Sequence, residues 1–125
     1  MTPYRRLIVL LAGVYGVAGV GLAAAAAHAV PDASLATAAS FLMIGAAALA
    51  GCAALAAAGG RRWSFADIGA GLIALGTLLF SGAIAARVLL DTVLFPMAAP
   101  TGGTMLMIGW AALGLAAFER TRSPA

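Results

Sequence analysis

Four long apolar stretches, each closed by a polar or helix-breaking cluster, set the pattern of this chain. The first runs from Leu7 to Ala27, about 21 residues, where a bilayer-spanning helix uses roughly 20. It ends at His28, Pro31 and Asp32, because a proline cannot continue a helix without losing a hydrogen bond and clashing with the preceding turn. The second, Leu35 to Ala58, follows Ser34 as the expected N-cap and stops at Gly59-Gly60-Arg61-Arg62. The third, Ile68 to Ala86, is preceded by Ser64-x-x-Asp67, a capping-box spacing with Asp in place of Glu and an acid where the helix dipole favours one. Between Asp91 and Gly103 the chain is apolar but holds Pro96, Pro100, Gly102 and Gly103, which predict a broken segment at the membrane surface. A shorter fourth helix is expected from Thr101 or Gly103 to Phe118.

The pattern predicts an all-α membrane protein, a four-transmembrane-helix bundle forming one domain over residues 1–125, with helices at about 5–29, 34–58, 64–90 and 101–119. Composition agrees: hydrophobic residues are 64% and charged residues 9%, the mean hydropathy is +1.08, and a soluble domain carries about 25% charged residues. Four spans nearly exhaust 125 residues, which leaves no length for a soluble catalytic domain.

Charge sets the expected orientation. All seven basic residues are arginines. Arg5, Arg6, Arg61, Arg62, Arg120 and Arg122 fall on one side of the spans and Arg87 alone on the other. Arginines flanking apolar runs are a membrane pattern and not a nucleic-acid one, and cytoplasmic loops keep Arg and Lys during insertion. Both termini are therefore expected in the cytoplasm. One reading competes at the N-terminus, where Arg5-Arg6, an apolar core and Ala27-His28-Ala29 also fit a cleaved secretory signal with an A-x-A site. The apolar run is longer than such a signal uses, about 7 to 15 residues.

Within lipid, helices associate through close packing and interhelical hydrogen bonds. Small residues recur at spacing four: Gly19, Ala23 and Ala27; Ala46, Ala50, Ala54 and Ala58; Thr77, Ser81 and Ala85; Ala112 and Ala116. Thr77 and Ser81 stand out as helix-packing polar residues, since a hydroxyl can bond the carbonyl one turn back or a neighbouring helix.

No ionisable residue falls in the middle third of a span, and proton-coupled pumps and transporters characteristically place one there. Polar groups gather instead at the end opposite the arginine pairs: His28, Asp32, Arg87 and Asp91. His28 is expected to face the packed interior, and Arg87 to pair with Asp91 at i+4 or with Asp32, and the four form either a polar network locking that end or a plain cap of solvated interfacial residues. One Cys and one His supply neither a disulfide nor a zinc site within one chain, and His28 alone cannot give bis-histidine haem ligation. No cofactor, metal or catalytic set is expected, and the protein is not expected to be an enzyme.

Three segments resemble a known family. GLAAAAAHAV at 21–30, ALGTLLFSGAIAA at 74–86 and APTGGTMLMIGW at 99–110 resemble the LGAFGAH, ALGTxLFSGS and TPxGGxxFLxGW signatures of the YgdD-like family. That family is similar to the small eukaryotic transmembrane protein 256, and both are described as domain of unknown function 423. The residues that carry the resemblance are His28, Phe80, Ser81, Gly82, Pro100, Gly102, Gly103 and Trp110. It implies a multi-pass bacterial inner-membrane protein, and it places Ala27-His28-Ala29 inside an internal motif, which argues against cleavage. Of the matching residues, Pro100 reads structurally as a break, Gly102-Gly103 as a flexible helix entry and Trp110 as an indole anchored between helices or near an interface. Many relatives carry a second His in the second helix, where this chain has Ile44 or a neighbour. Expected partners are membrane lipid and other membrane proteins or further copies of the chain, with no nucleic acid. The leading functional expectation is an accessory, assembly or self-associating membrane component; a small pore or lipid-interacting transporter is the alternative.

Overall fold

A computed structural model gives the fold and describes residues 1–120; Arg122, counted above with the arginine-rich end, lies outside the described residues. Four α-helices follow in order: α1, Pro3–His28; α2, Ala33–Ala58; α3, Phe65–Leu90; and α4, Ala98–Leu115, which tightens into a 3₁₀ turn at Ala116–Phe118. Each is long and apolar enough to cross a bilayer, and the described residues contain no strand. At 26 residues, the first three extend roughly 39 Å, longer than a hydrocarbon core of about 30 Å.

The caps explain the boundaries. Thr2 caps α1 by accepting the Arg5 amide at 3.2 Å, with Pro3 at the first helical position, where a missing N–H costs nothing. Asp32, not Ser34, caps α2, its carboxylate accepting the Leu35 amide at 2.9 Å. Ser34 falls inside the first turn because the helix starts at Ala33, two residues earlier than a Ser34 cap would dictate. The Ser64/Asp67 capping box of α3 forms as expected. α4 departs most from expectation: it begins at Ala98, and Pro100, Gly102 and Gly103 lie within it. Pro100 is the third helical residue, where its absent N–H is one of the unpaired first-turn donors in any case. Gly102 serves packing and not flexibility, as described next.

The helices pack in chain order, α1 on α2, α2 on α3 and α3 on α4, with a narrower α1–α3 contact and no comparable seam between α1 and α4. The assembly is thus open on that side. α3 is its centre, burying 50% of its span where the other three bury 22–28%. The α3–α4 seam is drawn tight by glycine. A Cβ added at Gly102 would lie 2.5 Å from the Phe80 amide nitrogen and 2.7 Å from the Gly76 carbonyl oxygen, and one at Gly76 would lie 2.8 Å from the Gly102 carbonyl. Two turns along, a Cβ at Gly69 would lie 2.9 Å from the Gly109 carbonyl oxygen, and one at Gly109 would lie 3.0 Å from the Ile73 amide nitrogen. These atoms are backbone and cannot step aside, so only glycine permits the approach.

The small-residue stripes sort unevenly. Gly19 packs against Met43 and Ala39, and Ala112 is buried. On α2, however, Ala50, Ala54 and Ala58 face outward, while Leu35, Ala38, Ala39, Gly45, Leu49, Cys52, Ala53 and Ala56 form the packed face. In a helix this rich in alanine several faces are equally smooth, and the one that turns inward carries Leu35 and Leu49, both 0% exposed.

Candidate functional site

Within the span, two polar side chains bond to the backbone of a neighbouring helix. Tyr15 of α1 donates its hydroxyl to the Ala74 carbonyl of α3 at 2.6 Å. Ser81 donates to the Ala38 carbonyl of α2 at 2.9 Å, the interhelical alternative foreseen for it. Thr77, one turn away, is 1% exposed and its Oγ1 has no hydrogen-bond partner. It seats against Gly45, where an added Cβ would come within 2.9 Å of that oxygen. Both hydroxyls are therefore sealed in the α2–α3 seam. Phe80 beside them stacks on Phe41, ring centroids 4.7 Å apart.

The expected network of His28, Asp32, Arg87 and Asp91 does not assemble: among the described residues no hydrogen bond or ion pair joins any two of them. His28 is exposed on the last turn of α1, not turned inward. Asp32 spends its carboxylate on the α2 cap. Arg87 is exposed. Its i+4 partner is lost because α3 ends at Leu90 and Asp91 takes a left-handed backbone, φ 50°, which swings it off the helix face. Arg87 instead lines a cavity of about 180 Å³ with Val93, Leu94, Phe95 and Met97 of the α3–α4 loop. The other residues of the resemblance divide between packing and surface. Gly102 is a backbone contact, Gly82 has nothing near its absent side chain, Pro100 and Gly103 sit in the first turns of α4, and Trp110 is 44% exposed on the outer face of α4.

The polar network of this protein is at the opposite end. Arg5 of α1 reaches the N-terminus of α3 and grips Asp67 with two bonds, Nε to Oδ1 at 3.0 Å and Nη2 to Oδ2 at 2.9 Å. The two side chains are 6% and 2% exposed. A buried ion pair needs its remaining hydrogen-bonding capacity filled to offset desolvation, and here it is: Arg5 Nη2 also donates to the Arg61 carbonyl at 2.8 Å, and Asp67 Oδ2 accepts the Ser64 amide at 2.9 Å. Tyr4 adds a bond to the Asp67 carbonyl at 2.5 Å. Just past the 3₁₀ turn that follows α4, Glu119 accepts the Ser64 hydroxyl at 2.6 Å and pairs with Arg61 at 3.3 Å. One knot thus ties the start of α1, the α2–α3 loop, the start of α3 and the end of α4.

Asp67 and Ser64 are legible in the sequence as a cap, but Arg5 and Glu119 read there only as flanking charges. The available signal was stoichiometric: each of the two acids at this end stands among several arginines, so each has a cation to take. Around the knot the surface stays basic and aromatic, with Arg6, Arg62, Arg120, Trp63, Phe65 and Phe118 exposed. The described residues contain no group of three His, Cys, Asp or Glu placed to hold a metal.

A family model described as "Protein of unknown function (DUF423)" matches residues 22–103, from the last turns of α1 to the first turns of α4. Comparison with curated proteins and with solved structures found no match. The matched stretch holds the α2–α3 seam, Ser64, Asp67 and three of the four seam glycines, while Tyr4, Arg5, Gly109 and Glu119 lie outside it.

Proposed function

This chain belongs to the family described as protein of unknown function (DUF423), and from that premise we propose that it is a non-enzymatic component of the bacterial inner membrane that works by association. Its termini face the cytoplasm and its partners are other membrane proteins or further copies of itself. The observation that carries the reading is the sealing of Thr77 and Ser81 in the α2–α3 seam, each 1% exposed. A pore would need these hydroxyls, the polar side chains in the middle of its central helix, along a wetted path. The exposed faces fit association instead: α2 turns Ala47, Gly51, Ala54 and Ala58 outward, the kind of smooth surface on which helices approach closely in lipid.

An enzyme is disfavoured by the same accounting. Ser64 and Glu119 are hydrogen-bonded, but Ser64 Oγ also accepts the Ala66 amide at 3.0 Å, and Glu119 is neutralised by Arg61. The pair is occupied with capping and offers no free nucleophile and base.

Purification in a mild detergent after crosslinking in intact membranes tests the proposal. A reproducible crosslinked species above the monomer is expected, together with no ion or dye flux in proteoliposomes. Purely monomeric protein that renders vesicles permeable, with water-accessible cysteines along positions 77 and 81, would replace association with the pore.

A further inference from the structure

The arginine-rich end holds more positive charge than it uses. Among the described residues, Asp67 neutralises Arg5 and Glu119 neutralises Arg61, and Arg6, Arg62 and Arg120 have no ion pair and are exposed. Of these three, Arg62 lines a cavity of about 230 Å³ with Thr2, Pro3, Tyr4, Trp63 and Asp67. Asp67 would repel an anion there were its charge free, but both its oxygens are bound to Arg5. Trp63 is 61% exposed and its ring lies 5.6 Å from that of Tyr4, tilted by 49°. Tyr and Trp take this position where protein meets the membrane–water boundary. In the first turn of α3, Phe65 and Ile68 expose apolar surface, 41% and 50%, in a cleft that shares Trp63 and is otherwise lined by Arg61, Ser64 and Glu119, the last bonded to the other two.

We propose that this corner is a headgroup site for an anionic phospholipid. Arg62 holds the phosphodiester, Trp63 and Tyr4 lie along the glycerol region, and one acyl chain descends over Phe65 and Ile68. Charge complementarity selects the anion, since a basic residue near an acidic membrane surface is worth enough to raise occupancy about fivefold. The apolar floor selects a lipid over an acidic protein segment. The inference rests on the membrane reading given above, but needs neither a particular orientation nor a particular protein partner.

The test uses the full chain with Trp110→Phe, which leaves Trp63 as the one tryptophan. It is reconstituted in phosphatidylcholine nanodiscs containing an equal minor fraction of brominated phosphatidylglycerol or brominated phosphatidylcholine. Quenching of Trp63 should report about fivefold higher occupancy by the anionic lipid. Arg62→Gln should abolish that preference with an unchanged helical circular dichroism spectrum, while Arg120→Gln should keep it. Equal quenching by the two lipids, or a preference that survives Arg62→Gln, overturns the site. Displacement of the brominated lipid by glycerol phosphate in solution overturns the lipid assignment in favour of a simple phosphate site. If the chain fails to stay in bilayers after an alkaline wash, the membrane reading itself has failed; a retained chain with equal quenching sinks only the site.

Discussion

Asp67 serves two purposes at once: one carboxylate holds Arg5 through two bonds and closes the α3 cap through the Ser64 amide. Removing one member of a buried ion pair leaves the other charge unpaired, at a cost of about 3–5 kcal/mol. Asp67→Ala and Arg5→Met are each expected to lose about that much in detergent unfolding titrations. The double variant should recover most of it, except for about 1 kcal/mol from the lost cap. A fully additive double variant would show that the pair is not coupled. Ser81 and Thr77 form a second contrast. Ser81→Ala removes a made interhelical bond and should cost roughly 0.6 kcal/mol. Thr77→Val removes a buried hydroxyl that has no partner and should be neutral or stabilising, read from the same titrations.

Between elements, the α3–α4 seam depends on four glycines at spacing seven within each helix, Gly69 and Gly76 facing Gly109 and Gly102. Gly102→Ala places a methyl against backbone atoms of α3 and should push the helices apart. The expected net loss is up to about 2 kcal/mol, from overpacking of about 1–3 kcal/mol offset by a helix-propensity gain of about 1. Gly114→Ala, with nothing near the new methyl, should gain up to about 1 kcal/mol. Thermal unfolding in one detergent reads the pair, and an equal response at both positions would refute the seam. The spacing of seven is visible in the sequence, but so are many spacings of four. Only packing shows that Ala50, Ala54 and Ala58 belong to the surface and these glycines to an interface.

For the whole molecule, the knot at the arginine-rich end requires Thr2, Gly60 and Arg120 to lie on one side of the membrane. Single cysteines at these positions, in a Cys52→Ala background, should all be shielded from an impermeant maleimide in intact spheroplasts and react after lysis. Cysteines at Ala29 and Thr92 should react without lysis. Labelling of Gly60 and Arg120 from opposite sides would dismantle both the knot and the fold described here. The open side between α1 and α4 also means that stability is not shared evenly around a ring: α4 leans on α3 and is fastened at its end by Glu119 to the α2–α3 loop.

Hydropathy and helix-breaking residues act locally, so the sequence alone determined the number of spans, their approximate ends and the capping box of α3. Membership of the family was legible too, in short motifs around His28, Phe80 and Pro100. What the tertiary structure decided was every question of which groups meet. His28, Asp32, Arg87 and Asp91 share an end of the molecule yet do not bond, because a cap claims one carboxylate and a left-handed residue redirects the other. Arg5, Asp67, Ser64 and Glu119 are far apart along the chain and do bond, because antiparallel helices return their ends to one place. Span formation depends on the solvent each segment prefers, whereas pairing depends on helix rotation, and in helices made mostly of alanine and glycine only the packed neighbours set that rotation.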